Sequence, residues 1–467
     1  MNILFVFSDQ QRYSALGANG NTVVQTPNLD KMASEGMACD NMFSNHPLCS
    51  PFRAILLTGR YGWQNGVICN EYAPFKNIPT LPGVMKNAGY HTGHIGVWHL
   101  GIPPYTEDNR YGIDHLAAVK GVGGNYYDQY YYLNDAEPVQ HMGWSPTAET
   151  NMAIDFMREH KDKQPNHPFA LFVSWRPPHW PYPQYPEEYG HYDPADIDLP
   201  GNVPKQMEDF ARREIADYYG CCTGLDAEMG RLLAALEDLD LADDTIVCYT
   251  SDHGDHLSSH GYGKPGDSWL HHSMRASKAT PYDESAHVPF LIRWPGGTPS
   301  GSRSSEFMGA IDIVPSLISA CGVTAPDGFQ GRDLTEAWRG ESSEEPEHTP
   351  GGKESAYLMN MANGWPNRTH WMGRWRGVRT ENYTYARWFD NERGPWLFDR
   401  RADPLEMRNI IDSAEARPAV EEMEARLHRW MEATQDPFES GKRGPRGFLE
   451  VGQEWANPGQ YARWGLS

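Results

Sequence analysis

The stretch NILFVFSDQQ, residues 2–11, decides how the chain is read. Five apolar residues, Ile3 to Phe7, run without interruption into Ser8, Asp9 and Gln10. A strand with one wet face alternates apolar and polar residues, whereas a strand covered on both faces reads as a continuous apolar run. The stretch therefore predicts a buried strand of a parallel sheet with polar groups at its carboxyl end. Similar runs recur at PFALFVSW (168–175), DTIVCYTS (244–251) and VPFLIRW (288–294).

Helical patterns fall between these runs. Thr26-Pro27 reads as an N-cap followed by proline at the first helical position, with Gly36 closing the helix, and further helices are expected over 148–162, 207–239 and 312–321. In the long one, Tyr218, Cys222, Leu225, Met229, Leu232 and Leu236 form one apolar face, read as core packing. Alternating strands and helices imply an α/β class, with a large, mixed but mostly parallel sheet sandwiched by helices. A stretch rich in Gly, Pro, Ser and Glu (341–355) reads as a linker between a catalytic unit at 1–340 and a C-terminal unit at 356–467. AYLMNM, RGVRTENYTYARWF and PWLFD predict a small antiparallel sheet in that unit, followed by a helix from about Pro418 to Thr434 and a tail packed on the body.

With 467 residues and 39% hydrophobic content the chain is long enough for a sizeable core. No run approaches the roughly 20 apolar residues of a membrane span, so no membrane partner is expected. The compartment is read as cytoplasmic, or periplasmic or secreted where a signal peptide has been removed. Seven cysteines without a CxxC pair fit neither a disulfide framework nor a zinc finger. The formal net charge of -22 opposes nucleic acid and anionic lipid. An anionic substrate would need metal, arginine, lysine or histidine gathered against that field.

Groups past the carboxyl ends of α/β strands converge on one edge of the sheet. Asp9 and Gln10 follow the first run, Arg176 and His179 the second, and Asp252 and His253 the third. Asp9, Gln10, Asp252 and His253 suit a hard divalent cation held by oxygen donors and one imidazole. In CSPFRAILLTGR (49–60), Pro51 could open a helix with Cys49 at its N-terminus, where unpaired backbone amides attract anions.

That segment resembles the maturation signature of the type I, formylglycine-dependent sulfatases of the alkaline phosphatase superfamily, here Cys49, Pro51, Arg53, Thr58 and Gly59. The resemblance extends through TPNLDKMASEGM, GYHTGHIGVWHLG, RPPHWPY, SDHGDH, SKATPYDESAHVPFLIRWPG and LFDRRADPLEMRNI. It implies an alkaline phosphatase-like fold and hydrolysis of a sulfate ester to alcohol and inorganic sulfate. It also implies that a formylglycine-generating enzyme oxidises Cys49 to formylglycine, whose hydrate is the nucleophile. Asp9, Gln10, Asp252 and His253 match the positions that hold a divalent cation, with Cys49 counted among its ligands, Ca2+ the first choice and Mn2+ the alternative. Arg53, His99, His179 and Lys278 match the remaining catalytic groups. Asn70, Arg176 and Lys264 are candidates for substrate contact.

The chain departs from the family pattern at Phe52, where a small residue is usual, and at Val97, where a lysine is usual. Lys264 or Arg176 is the candidate replacement for that lysine. His271 and His272 read as solvated or substrate-facing. Sixteen tryptophans and 24 tyrosines, clustered near expected loops such as YYDQYYYLND, suit sugar rings, so the expected substrate is an oligosaccharide or small-molecule sulfate ester. The alternatives are a phosphonate monoester or phosphodiester hydrolase on the same scaffold and a catalytically impaired binder of sulfated glycans.

Overall fold

The computed structural model describes residues 1–119, 124–134, 136–262, 274–341, 351, 354–361, 364–365, 368–369, 372–389 and 394–439. The first strand, β1 (Asn2–Asp9), is buried along its whole length. Ile3, Phe5 and Phe7 point into one apolar core, while Leu4 and Val6 point into another. This two-sided burial is the physical reason for the unbroken apolar run.

The sheet around it contains β2 (Met37–Phe43), β3 (His91–Val97), β4 (His115–Val119), β5 (Tyr130–Leu133), β6 (Val139–Gln140), β7 (Phe169–Pro178), β8 (Thr245–Ser251), β9 (Phe290–Arg293) and β10 (Ser302–Gly309). Their order is β10-β2-β9-β8-β1-β7-β3-β4-β5-β6. The central β8-β1-β7-β3-β4 block is parallel throughout, β9 runs against its neighbours, and β5 and β6 form an antiparallel edge. The result is the large mixed, mostly parallel sheet expected. YYDQYYYLND, read as loop, instead supplies β5, between β4 and the edge strand β6, and its Tyr131 pairs with Val119 and is fully buried.

Helices cover both faces: α1 (Pro27–Glu35), α2 (Cys49–Thr58), the short turn α3 (Gly62–Asn65), α4 (Leu81–Asn87), α5 (Ser145–Lys163), α6 (Glu208–Asp238), the turn α7 (Asp283–Ala286), α8 (Ala310–Ala320) and the turn α9 (Thr335–Trp338). Residues of α2, α4 and α8 pack with Phe5 and Phe172 on one face; α1, α5 and α6 pack with Leu4 and Val173 on the other. The six α6 residues named above are all buried. Thr26 precedes α1 with proline at its start, as the sequence suggests, although its side chain donates toward Asp30 and makes no cap bond.

A second sheet, of order β11-β14-β15-β16, comprises β11 (Ser355–Asn360), β14 (Trp375–Thr380), β15 (Tyr383–Trp388) and β16 (Trp396–Asp399), all antiparallel. A two-stranded ribbon of β12 (Gly364–Trp365) and β13 (Arg368–Thr369) lies between β11 and β14 in the chain. The last helix, α10 (Arg417–Thr434), packs on β14 and β15. Most of the 341–355 stretch and the tail after Glu439 lie outside the described residues, as do Lys264, His271 and His272.

Candidate active site

Four strands of the parallel block end at one place. The register between β1 and β7 shifts after Phe7, so Asp9 comes opposite Pro178, and Gln10 then turns away with φ of 77°. Asp252 and His253 follow β8, and His179 follows β7. His99 lies just past β3 with a left-handed backbone, φ 51°. Cys49 enters from the loop after β2 as the first residue of α2, which closes at Gly59 in a left-handed cap.

One ligand atom each from Asp9, Cys49, Asp252 and His253 lies within 4.8 Å of the others, and all four residues are buried. The Cys49 thiol is 3.3 Å from Nε2 of His253 and 3.8 Å from Oδ1 of Asp9. Nε2 of His253 is also 3.6 Å from Asp9 Oδ1 and 3.5 Å from Asp252 Oδ1. Nδ1 of His253 donates to the Gly254 carbonyl at 2.9 Å, which leaves the lone pair on Nε2, facing the carboxylates. Two carboxylate oxygens, an imidazole lone pair and the side chain at position 49 thus face a common point, a donor set that fits a divalent cation.

Arg53, 3% exposed, braces the carboxylates from behind. One guanidinium nitrogen donates to Asp9 Oδ2 (3.0 Å) and Asp252 Oδ2 (3.3 Å), and the other to the Val97 carbonyl (2.7 Å) and Ser174 Oγ (2.6 Å). Its positive charge lets two buried carboxylates approach. Burial opposes ionisation of Asp9, but His179, Lys278, His253 and Arg53 together hold it well below the usual carboxylate range. Burial and the charge of Asp9 push Asp252 up. Burial, followed by Asp9, pushes the Cys49 thiol well above its ordinary value.

Lys278 contacts Cys49 directly. Its ammonium donates to Cys49 Sγ at 3.3 Å, to Gln10 Oε1 at 3.3 Å and to His179 Nε2 at 2.9 Å. His179 Nδ1 donates to the Trp180 carbonyl at 2.6 Å, so Nε2 is the acceptor from Lys278. Burial, then Lys278, depress His179 to about 3.

The remaining candidates lie around this centre. Gln10 donates through Nε2 to Asp255 at 2.8 Å, and its backbone N–H donates to Asp252 Oδ1 at 3.0 Å. Arg176 donates to the Asn125 carbonyl at 3.0 Å and lies over the ring of Tyr126, whose hydroxyl donates to the His179 carbonyl. Asn70 Oδ1 accepts the Ser50 N–H at 3.0 Å and so caps the first turn of α2 from another loop. His99 Nε2 is 3.2 Å from Glu71 Oε1. Sequence reasoning missed Asp255, Ser174 and Glu71. Asp255 stands within SDHGDH, three residues after Asp252, where it was in view; Ser174 and Glu71 carry no sequence signal of their own.

The family model described as Sulfatase matches residues 1–323, and that described as N-sulphoglucosamine sulphohydrolase, C-terminal, matches residues 275–433. The ulvan-active sulfatase of Formosa agariphila is 33% identical over 451 residues, covering 94% of this chain and 82% of that protein. A protein solved in complex with its substrate D-glucosamine-2-N,6-O-disulfate superposes with a TM-score of 0.81 at 24% identity, over 94% of this chain and 99% of that one. The phosphonate monoester hydrolase of Agrobacterium radiobacter superposes with a TM-score of 0.73 at 21% identity, over 92% and 96% of the two chains. At these identities the two structures establish the shared fold.

Proposed function

The chain belongs to the sulfatase family and is a sulfuric ester hydrolase, and from that premise we propose that it acts on a sulfated carbohydrate through a formylglycine made from Cys49, beside a divalent cation. The observation that carries the reading is the convergence of Asp9, Cys49, Asp252 and His253 under the ammonium of Lys278. Asp9, Asp252 and His253 would hold the cation, with the Gln10 amide as a further oxygen donor. Hard oxygens with a single imidazole favour Ca2+ over Mn2+. When bound, the cation polarises a sulfate oxygen and lowers the pKa of a hydroxyl beside it. Formylglycine in its hydrated form supplies a hydroxyl nucleophile together with a second hydroxyl that lets sulfate depart, which a plain serine or cysteine lacks. A formylglycine-generating enzyme is the partner that installs it.

The chain's own residues divide the remaining work. Arg53 fixes the spacing of Asp9 and Asp252 and offsets one of their charges. Lys278 can redirect the N–H it gives to residue 49 toward the sulfate and its bridging oxygen, and passes a proton to the departing alcohol. His179, fixed as an acceptor, keeps Lys278 aimed there. His99 takes the proton of the second hydroxyl as sulfate is released. The sugar assignment rests on the ulvan-active relative and on the aromatic content of the chain. The phosphonate hydrolase shares the scaffold, so phosphorus esters belong in the test.

Sulfate, phosphate and phosphonate esters of one phenol, together with a panel of sulfated sugars, are the substrates to compare, before and after chelation and on return of Ca2+ or Mn2+. Sulfated sugars and the aryl sulfate should turn over, lose turnover on chelation and recover best with Ca2+. Faster cleavage of the phosphonate, or full activity after complete metal removal, would overturn the reading.

A further inference from the structure

We propose that Glu71 is a positioning residue that sets the tautomer of His99, and that the Asn70-Glu71 pair ties this histidine and the residue-49 helix to one loop. The inference rests on the catalytic role given to His99 above.

His99 Nε2 lies 3.2 Å from Glu71 Oε1. A carboxylate only accepts, so this nitrogen must carry the hydrogen. Nδ1, the other ring nitrogen, is buried and has no hydrogen-bond partner among the described residues. In the neutral ring it carries the lone pair. The pair therefore presents a base with its proton-accepting atom chosen in advance, the service a buried carboxylate performs for the histidine of a hydrolytic triad. Both residues have a left-handed backbone, Glu71 at φ 73° and His99 at φ 51°. Such conformations are costly for residues with side chains and persist where surrounding contacts hold them.

Those contacts lead to the nucleophile. Ser50, the neighbour of Cys49, donates its hydroxyl to the His99 carbonyl at 2.6 Å, and its N–H is received by Asn70 at 3.0 Å. Asn70 therefore fixes the turn that carries residue 49, while Glu71 fixes the ring that serves it. The adjacency of the two residues keeps helix and base in register.

The test uses the full-length enzyme labelled with 15N-histidine, its His99 signals identified by their absence in His99→Gln. Wild type should show a hydrogen on Nε2 and an unprotonated Nδ1. Glu71→Ala should lose that single-tautomer pattern and lower kcat on the order of 10- to 100-fold, the size such supporting partners carry, with KM held within a factor of about 2. Glu71→Gln can still accept from Nε2 and should restore both the pattern and most of kcat. Wild type carrying its hydrogen on Nδ1 would overturn the proposal. So would a Glu71→Ala enzyme with unchanged spectrum and kcat, or one whose loss appears in KM alone. If the spectra behave as stated while fully matured wild type hydrolyses no ester, the formylglycine reading fails and this one stands.

Discussion

Cys49, Asp9, Asp252 and His253 sit at strand or helix ends spread from position 9 to position 253 of the sequence, and their ligand atoms meet within 4.8 Å of one another. That meeting was legible because each residue follows an apolar run or opens a helix, so the chain's polarity marks where it leaves the sheet. Lys278 lies 3.3 Å from the Cys49 thiol, while Lys264, the other candidate lysine, lies outside the described residues. Glu71 was invisible because its contact depends on a left-handed turn that no periodicity announces. At this scale the proposed proton source for the leaving group is the ammonium of Lys278. Lys278→Ala should lower kcat by roughly 10²- to 10⁴-fold, most for sulfate esters of weakly acidic alcohols and least for those of acidic phenols. A loss independent of leaving group, in rates measured across a phenol series, would assign the proton elsewhere.

Among the elements, β1, β7 and β8 were readable as continuous apolar runs because both of their faces are covered. β10 was not, since Ser302, Ser304 and Glu306 line a partly exposed edge strand and break any apolar signal. β3 was recognised as a motif more than as a strand, for it is built from glycines and histidines. Gly96 explains this composition. Its φ is 103°, and a Cβ there would stand 2.1 Å from the Ser174 carbonyl of neighbouring β7. Any side chain would force apart the seam that delivers His99 on one side and Ser174, a partner of Arg53, on the other. Gly96→Ala should cost about 3 kcal/mol or more and lower activity in the molecules that still fold. Unchanged urea denaturation would mean the seam tolerates the methyl group.

For the whole molecule, a buried ion pair and a buried acid outside the catalytic centre bear on stability. Arg376 of β14 and Asp436 beyond α10 form an ion pair at 2.5 Å with both side chains fully buried, fastening the C-terminal helix to the second sheet. Asp436→Ala removes the carboxylate that accepts from two guanidinium nitrogens of Arg376 and should cost about 3–5 kcal/mol in chemical denaturation; a cost below about 1 kcal/mol would contradict that role. The division between the two sheets is proposed at 341–355, after the last strand of the first and at the start of β11.

Glu149 of α5 is the second group. Burial raises it to about 8 from an ordinary 4.5, against the opposing charge of Arg176 and the hydrogen bond from Tyr131, with Glu228 adding to the rise and Arg53 opposing it. Its Oε2 has no hydrogen-bond partner among the described residues, as suits a neutral acid. Between those values the folded protein keeps a proton that the unfolded chain has released, so this group makes stability fall as pH rises from about 4.5 to about 8 and leaves it flat beyond. Glu149→Gln keeps an acceptor for Tyr131 at 3.0 Å and removes the titration. Wild type and variant should be equally stable near pH 5, with the variant ahead by a few kcal/mol near pH 8; parallel stability curves would place the proton elsewhere.

The chemistry of the site turns on what residue 49 becomes. The most direct measurement is the mass of the peptide spanning Cys49, taken from enzyme co-expressed with a formylglycine-generating enzyme and paired with turnover of the same sample. The prediction is an aldehyde in place of the thiol, in a fraction that tracks specific activity from one preparation to the next. Full sulfatase activity from a sample in which every residue 49 retains its thiol would contradict it.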